Sequence, residues 1–174
     1  MASALLGCLL ATVTLLVVVT SGCAGYKLGP TNGQPAGARS IQVNPFRNQT
    51  EEQQLAQPFT NALRKRLQQD GTYRLATQND GDVLVNVTLL NYRRSAVSFQ
   101  PNDIITPRDM DAVIIARVVA EERGTGKVLV DKEVKSRTSI RVGADLTLAE
   151  RQSMPVLAEE LARNIASVLV DGTW

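Results

Sequence analysis

Ser21, Gly22 and Cys23 close an uncharged apolar leader, and they are the residues best placed to do chemistry. Small residues ahead of a cysteine let a protease reach an extended backbone. A cysteine sulfur is a nucleophile that can be acylated, and acyl chains anchor a soluble domain by roughly 0.8 kcal/mol per buried CH2. Only Cys8 and Cys23 occur, so cleavage before Cys23 leaves no second thiol and no internal disulfide. Histidine is absent, which removes Ser-His-Asp and Cys-His catalysis together with the commonest metal ligand. The carboxylates Asp80, Asp82, Asp103 and Asp111 fall at loops and strand ends, where Asp is common, and no partner base accompanies them. No catalytic residue, metal or cofactor is expected. Arg93, Arg94, Lys135, Arg137 and Arg141 form a different kind of candidate. Guanidinium groups match phosphate oxygens, so these cations suit a phosphate-bearing partner. The competing reading is an ordinary solvated face whose cations pair with Asp131 and Glu133.

An apolar stretch ending in small residues and a cysteine resembles a bacterial lipoprotein signal. Thr20 stands where such signals usually carry Leu, and no Lys or Arg precedes the apolar core. A plain secretory signal and a retained helix stay open as alternatives, although Leu5 to Val19 is short of the about 20 residues a span needs. The expected division is a signal over 1–22, a lipid anchor and flexible tether over 23–39, and a single domain over 40–174. The formal net charge is +2, with every charge from Lys27 onward, too little to argue for nucleic acid. Low aromatic content also argues against a base-stacking platform.

The elements that must position the cations follow from periodicity. Ser40 to Asn44 alternates and predicts a first strand, stopped by Pro45. Leu55, Phe59, Ala62, Leu63, Arg66 and Leu67 recur at three and four, which predicts an amphipathic helix over roughly 52–69. Glu51 and Glu52 suit its N-terminal dipole, Pro58 its first turn and Gly71 its stop; Arg64 to Arg66 read as its solvated face. The period then becomes two over 82–99. Val83, Val85, Val87 and Leu89 take one face, and Leu84, Asn86, Thr88, Leu90 and Tyr92 the other, with Arg93 and Arg94 at the strand's end. Pro101 to Asp103 and Thr106 to Arg108 predict a loop. A third strand over 111–121 turns Ile114, Ala116 and Val118 to the helices, leaving Ile115, Arg117 and Val119 outward. Two aliphatics flanking an Arg on a charged face suggest a contact surface. Arg123 to Gly126 predicts a hairpin turn. Val128, Val130, Val134, Ile140 and Val142 predict the inward face of a fourth strand. Thr147 to Glu150 reads as a capping box opening a helix to about residue 170, striped by Met154, Leu157, Leu161, Ile165 and Val168, with Pro155 expected to kink or divide it. The expected fold is α+β: a four-stranded mixed sheet in β-α-β-β-β-α order with two helices on one face.

In this order and spacing the chain resembles the LptE family of lipopolysaccharide-assembly lipoproteins. The carrying residues are Cys23 to Leu28, Ile41 to Thr50, Arg123 to Leu129 and Leu157 to Ala162. The resemblance covers almost all of the chain after the leader. It implies a non-enzymatic lipoprotein of the outer membrane, facing the periplasm. Such a protein sits in and plugs a β-barrel translocon, an LptD-like partner, and binds lipopolysaccharide on its way to the surface. The family's lipid-binding cations lie after the second strand and before the last helix. Here those stretches read Gln100-Pro101-Asn102-Asp103 and Gly143-Ala144-Asp145, without Lys or Arg, so those roles are not carried over. The alternative is a periplasm-facing lipoprotein that scaffolds another envelope complex.

Overall fold

The computed structural model describes residues 37–143 and 145–171. The expected signal, Cys23 and nearly all of the tether lie outside the described residues, as does the closing Gly172. The elements run β1 (Ser40–Val43), β2 (Arg47–Asn48), α1 (Ala56–Asp70), β3 (Arg74–Leu75), β4 (Val83–Gln100), β5 (Asp103–Glu122), β6 (Val128–Arg141) and α2 (Leu146–Val170). They form one mixed sheet in the order β3-β1-β4-β5-β6, with β2 beside β4 further along. The class is α+β with two helices against a mixed sheet, as expected. The sheet has six strands where four were expected, because β2 and β3 are two residues each and carry no periodicity. Only their pairing with β4 and β1 makes them strands.

β1 lies between two parallel neighbours and is buried along its whole length, as a strand covered on both sides must be. β4, β5 and β6 form an antiparallel meander with one dry face. Val83, Val85, Val87 and Leu89 of β4 and the even residues Ala112 to Ala120 of β5 are buried, as are Val130, Val134 and Ile140 of β6. Leu157, Leu161, Ile165 and Leu169 of α2 meet Phe59, Leu63 and Leu67 of α1 in the same core. Each such side chain contributes about 2 kcal/mol when fully buried. Tyr73 Oη donates to the Leu169 carbonyl at 3.1 Å and ties the end of α2 to the start of β3. Burial pushes this phenol up to about 12, so it keeps its proton. Among the described residues no helix is long and apolar enough to cross a membrane.

Several local expectations are corrected. Asp103 to Arg108 is the start of β5 instead of a loop, because β4 continues opposite it as a two-stranded ribbon. Val128 is half exposed where β6 begins, beside an irregularity at Ala120/Glu121, and Val142 lies beyond the strand. α1 starts at Ala56, with Leu55 at its N-cap and no capping side chain. Glu51 and Glu52 belong to the preceding turn, where Asn48 Nδ2 donates to the Glu52 carbonyl at 2.7 Å. Arg64 is more than a solvated charge, since its guanidinium donates to the Val43 carbonyl at 2.7 Å. At α2 the cap is Asp145, whose Oδ1 accepts from the amides of Thr147 (2.8 Å) and Leu148 (3.2 Å), so Thr147 does not open a capping box. α2 runs undivided through Pro155, which sits on the exposed side, where water can serve the Arg151 carbonyl that loses its donor.

Candidate partner-contact face

The helices cover one face of the sheet, so the opposite face of β4, β5 and β6 is what the fold offers to a partner. Cross-strand register decides which side chains meet there, because directly opposed residues share a face at about 5 Å. Arg93 opposes Val113, which opposes Arg137. Asn91 opposes Ile115, which opposes Lys135; Thr88 opposes Arg117, which opposes Glu133; Asn86 opposes Val119, which opposes Asp131. Arg93, Lys135, Arg137, Ile115, Arg117 and Val119 therefore stand on one open face. Arg141 joins it nearer the ribbon, opposite Asp109.

Arg94 does not join them. A bulge between Leu89 and Asn91 inserts Leu90 as an extra residue and shifts the alternation by one. Tyr92 and Arg94 are thereby turned to the helix side. Arg94 pairs with Glu150 of α2 and lies 5.9 Å from the centroid of the Tyr92 ring. Its hydrogen bond to the Glu150 carboxylate holds the Arg94 guanidinium above its ordinary range. The Tyr92 hydroxyl is buried without a partner among the described residues, and burial, then Glu150, pushes it up to about 12. Beside it, between the turn before α1 and the first turns of α2, lies a recess of about 410 Å³ lined by Leu55, Pro58 and Met154.

The ion pairs on the open face separate bound cations from free ones. Arg117 grips Asp131 with two bonds of 2.8 and 2.7 Å, which raises the guanidinium and lowers the carboxyl. Arg137 reaches Asp111 at 2.5 Å, and Arg141 reaches Asp109 at 3.4 Å. Among the described residues Arg93 and Lys135 have no carboxylate partner. They flank Val113 and Ile115, so the centre of the face is two aliphatics between two unneutralised cations.

Three of the four carboxylates considered for catalysis, Asp82, Asp103 and Asp111, are structural acceptors. Asp82 is held below its usual range by Ser40, whose hydroxyl (2.6 Å) and amide (2.8 Å) both donate to it. Asp103 is lowered by the Thr106 hydroxyl and by the Ile105 and Thr106 amides. Asp111 is buried between Arg137 and Ser139. A general acid would need a shift opposite to those of Asp82 and Asp103. No cluster of metal-ligating residues occurs among the described residues.

Sequence reasoning misses one feature. The ribbon beyond β6 exposes Val97, Phe99 and Ile105, the last at 83%. The uncharged run Ser95 to Gln100 carries the signal, but periodicity alone gives it only as the end of a strand.

A family model described as LptE, lipopolysaccharide-assembly, matches residues 38–171. Comparison with curated proteins finds no match. Among solved structures the chain is similar to a hypothetical protein from Chlamydia trachomatis, with 11% identity and TM-score 0.58 over 78% of this chain and 98% of that one. It is similar to a protein from Xanthomonas campestris, with 8% identity and TM-score 0.58 over 84% and 92%. A minor lipoprotein from Acinetobacter baumannii gives 13% identity and TM-score 0.52 over 76% and 93%. At these identities the likeness is one of fold.

Proposed function

This chain belongs to the LptE lipopolysaccharide-assembly family, and from that premise we propose that it is a periplasm-facing outer-membrane lipoprotein, anchored through Cys23, that complexes with and plugs a β-barrel translocon. A role in lipopolysaccharide assembly follows from the family, which is one of non-enzymatic lipoproteins. Its contribution is then to hold surfaces together. The observation that supports a contact role is the open sheet face, where Arg93 and Lys135 stand unneutralised around Val113 and Ile115. Aliphatics at the centre of such a face suit a barrel wall or an acyl chain, and the two free cations suit lipid phosphates.

The test is the double substitution Ile115→Asp with Val119→Asp, made in the full-length lipoprotein. With the circular dichroism spectrum retained, barrel copurification and lipopolysaccharide binding should each fall at least tenfold. A folded double variant that keeps both as in the wild type removes this face from the contact surface.

A further inference from the structure

Apart from the outer sides of the two-residue strands β2 and β3, three longer lengths of strand edge have no neighbour among the described residues: β6 along its outer side, β5 beyond the end of β6, and β4 beyond β2. Open edges carry unpaired amides and carbonyls that recruit other strands, and native proteins guard them. β6 is guarded. Lys132 sits in its helix-facing row as an inward charge, and Asn164 of α2 donates to the Lys135 carbonyl at 3.4 Å and to Ser136 Oγ at 2.9 Å. The free part of β5 is guarded too. Pro107 lacks an amide, and Asp103 Oδ1 occupies the amides of Ile105 (2.8 Å) and Thr106 (3.2 Å).

β4 is not guarded in this way. Ser95 to Gln100 contains no charge and no proline, and Val97 and Phe99 are 56% and 45% exposed. The nearest charge, Arg94, is drawn across the helix face by Glu150. The direction of the free groups follows from the register. The Leu89 carbonyl accepts from the Gln49 amide at 2.9 Å, so Leu89 turns its backbone toward the lane of β2. The bulge at Leu90 shifts the alternation by one, and Tyr92, Arg94 and Ala96 then turn their amides and carbonyls into that lane, where the bonds from β2 end at Gln49 and Thr50 and Glu51 border a recess of about 360 Å³ beside Leu90 to Arg93. Beyond Ala96 a second bulge twists the edge.

We propose that this edge of β4 receives an extended segment of the protein partner, paired main chain to main chain over Tyr92–Ala96 and packed on Val97 and Phe99. Donors and acceptors repeated every second residue match another extended backbone and no small ligand. A second copy of this chain is disfavoured, because self-pairing across the edge would bring Arg93 toward its own counterpart. The unneutralised Arg93 selects a neutral or acidic segment instead. The partner's identity rests on the function proposed above; the pairing itself does not.

Amide hydrogen exchange of the lipoprotein, purified and in native outer membranes, tests the pairing through the fragment 91–100. Exchange should be fast in the purified protein and at least tenfold slower in membranes. Ala96→Pro, which deletes an edge amide that an edge strand can spare, should abolish the slowing. Equal exchange in both settings overturns the inference, as does a slowing that survives Ala96→Pro. Slow exchange already present in the purified protein would assign the lane to this chain's own N-terminal segment and overturns it as well. If Ala96→Pro fails to fold, Val97→Asp with Phe99→Asp takes its place, and a slowing that survives in that folded double variant overturns the inference. Protection without barrel copurification would reject the barrel as partner and leave the edge pairing standing; copurification without protection would do the reverse.

Discussion

At the scale of single residues, Asp82 shows how a candidate for chemistry becomes a structural clasp. Its carboxylate accepts from the Ser40 amide and hydroxyl, and its own amide donates to Ser40 Oγ at 3.0 Å, so β1 and β4 are latched where both begin. The donors favour the charged form, and the folded carboxyl titrates below its ordinary value. A depressed folded value contributes stability that is present above the unfolded value near 3.9 and lost as pH falls through the folded one. Asp82→Asn should therefore cost about 1 kcal/mol at pH 7, less than the about 1.5–3 kcal/mol of bonds to a charge because the site is exposed. That difference should shrink as pH drops below about 4. Urea unfolding of both proteins from pH 7 to 3 decides the matter: a gap that stays constant means the latch is not electrostatic. The Arg117–Asp131 and Arg141–Asp109 pairs of the open face are exposed, and such pairs add little to stability. Their importance is in deciding which cations remain for a partner.

At the scale of elements, α2 carries one feature in its favour and one against. Asp145 satisfies two orphan amides at its start, so Asp145→Ala should destabilise the protein by about 1 kcal/mol. Pro155 lies well inside the helix and costs it a hydrogen bond. Because its side chain is exposed, Pro155→Ala removes no packing and should stabilise by about 1–3 kcal/mol. Denaturant midpoints of the two variants should move in opposite directions. A Pro155→Ala midpoint at or below wild type would mean that the core is fitted to a helix bent there. The hairpin of β4 and β5 is the other element of consequence. It outruns β6, and the free ribbon that results carries the unguarded edge.

At the scale of the whole molecule, the described chain begins beside the start of the sheet, where the Gly37 amide donates to the Thr72 carbonyl at 3.0 Å. β4 starts at that end and runs 18 residues away from it, a span of roughly 55 Å. An anchor ahead of Gly37 would therefore hold the molecule by one end and leave the ribbon at the other. On the proposed assignment Cys23→Ala abolishes acylation and leaves an unprocessed or soluble product. Metabolic labelling with a palmitate analogue checks this, and undiminished label in the variant excludes Cys23 as the lipid site.

What the sequence determined by itself is the facing of the long strands. Successive side chains on an extended backbone must alternate, so Val83 to Leu89 and Ile114 to Ala120 had one possible dry face once a core was required. The two helical stripes and the stop at Gly71, whose φ of 74° suits glycine, were legible for the same local reason. The types of the contact residues were legible too, but their company was not. The bulge at Leu90 leaves no mark in residue type, because it arises only when β4 must stay in register with β5, and it decided that Arg93 and not Arg94 stands on the open face. The caps competed on equal local terms, since Thr147 and Asp145 are both good N-caps. Tertiary structure resolved them by engaging Glu150 with Arg94. β2 and β3 are strands only because a neighbour completes their hydrogen bonds. Which cations stay free, and which strand edge stays open, depend on residues distant in sequence that only the folded sheet brings opposite one another.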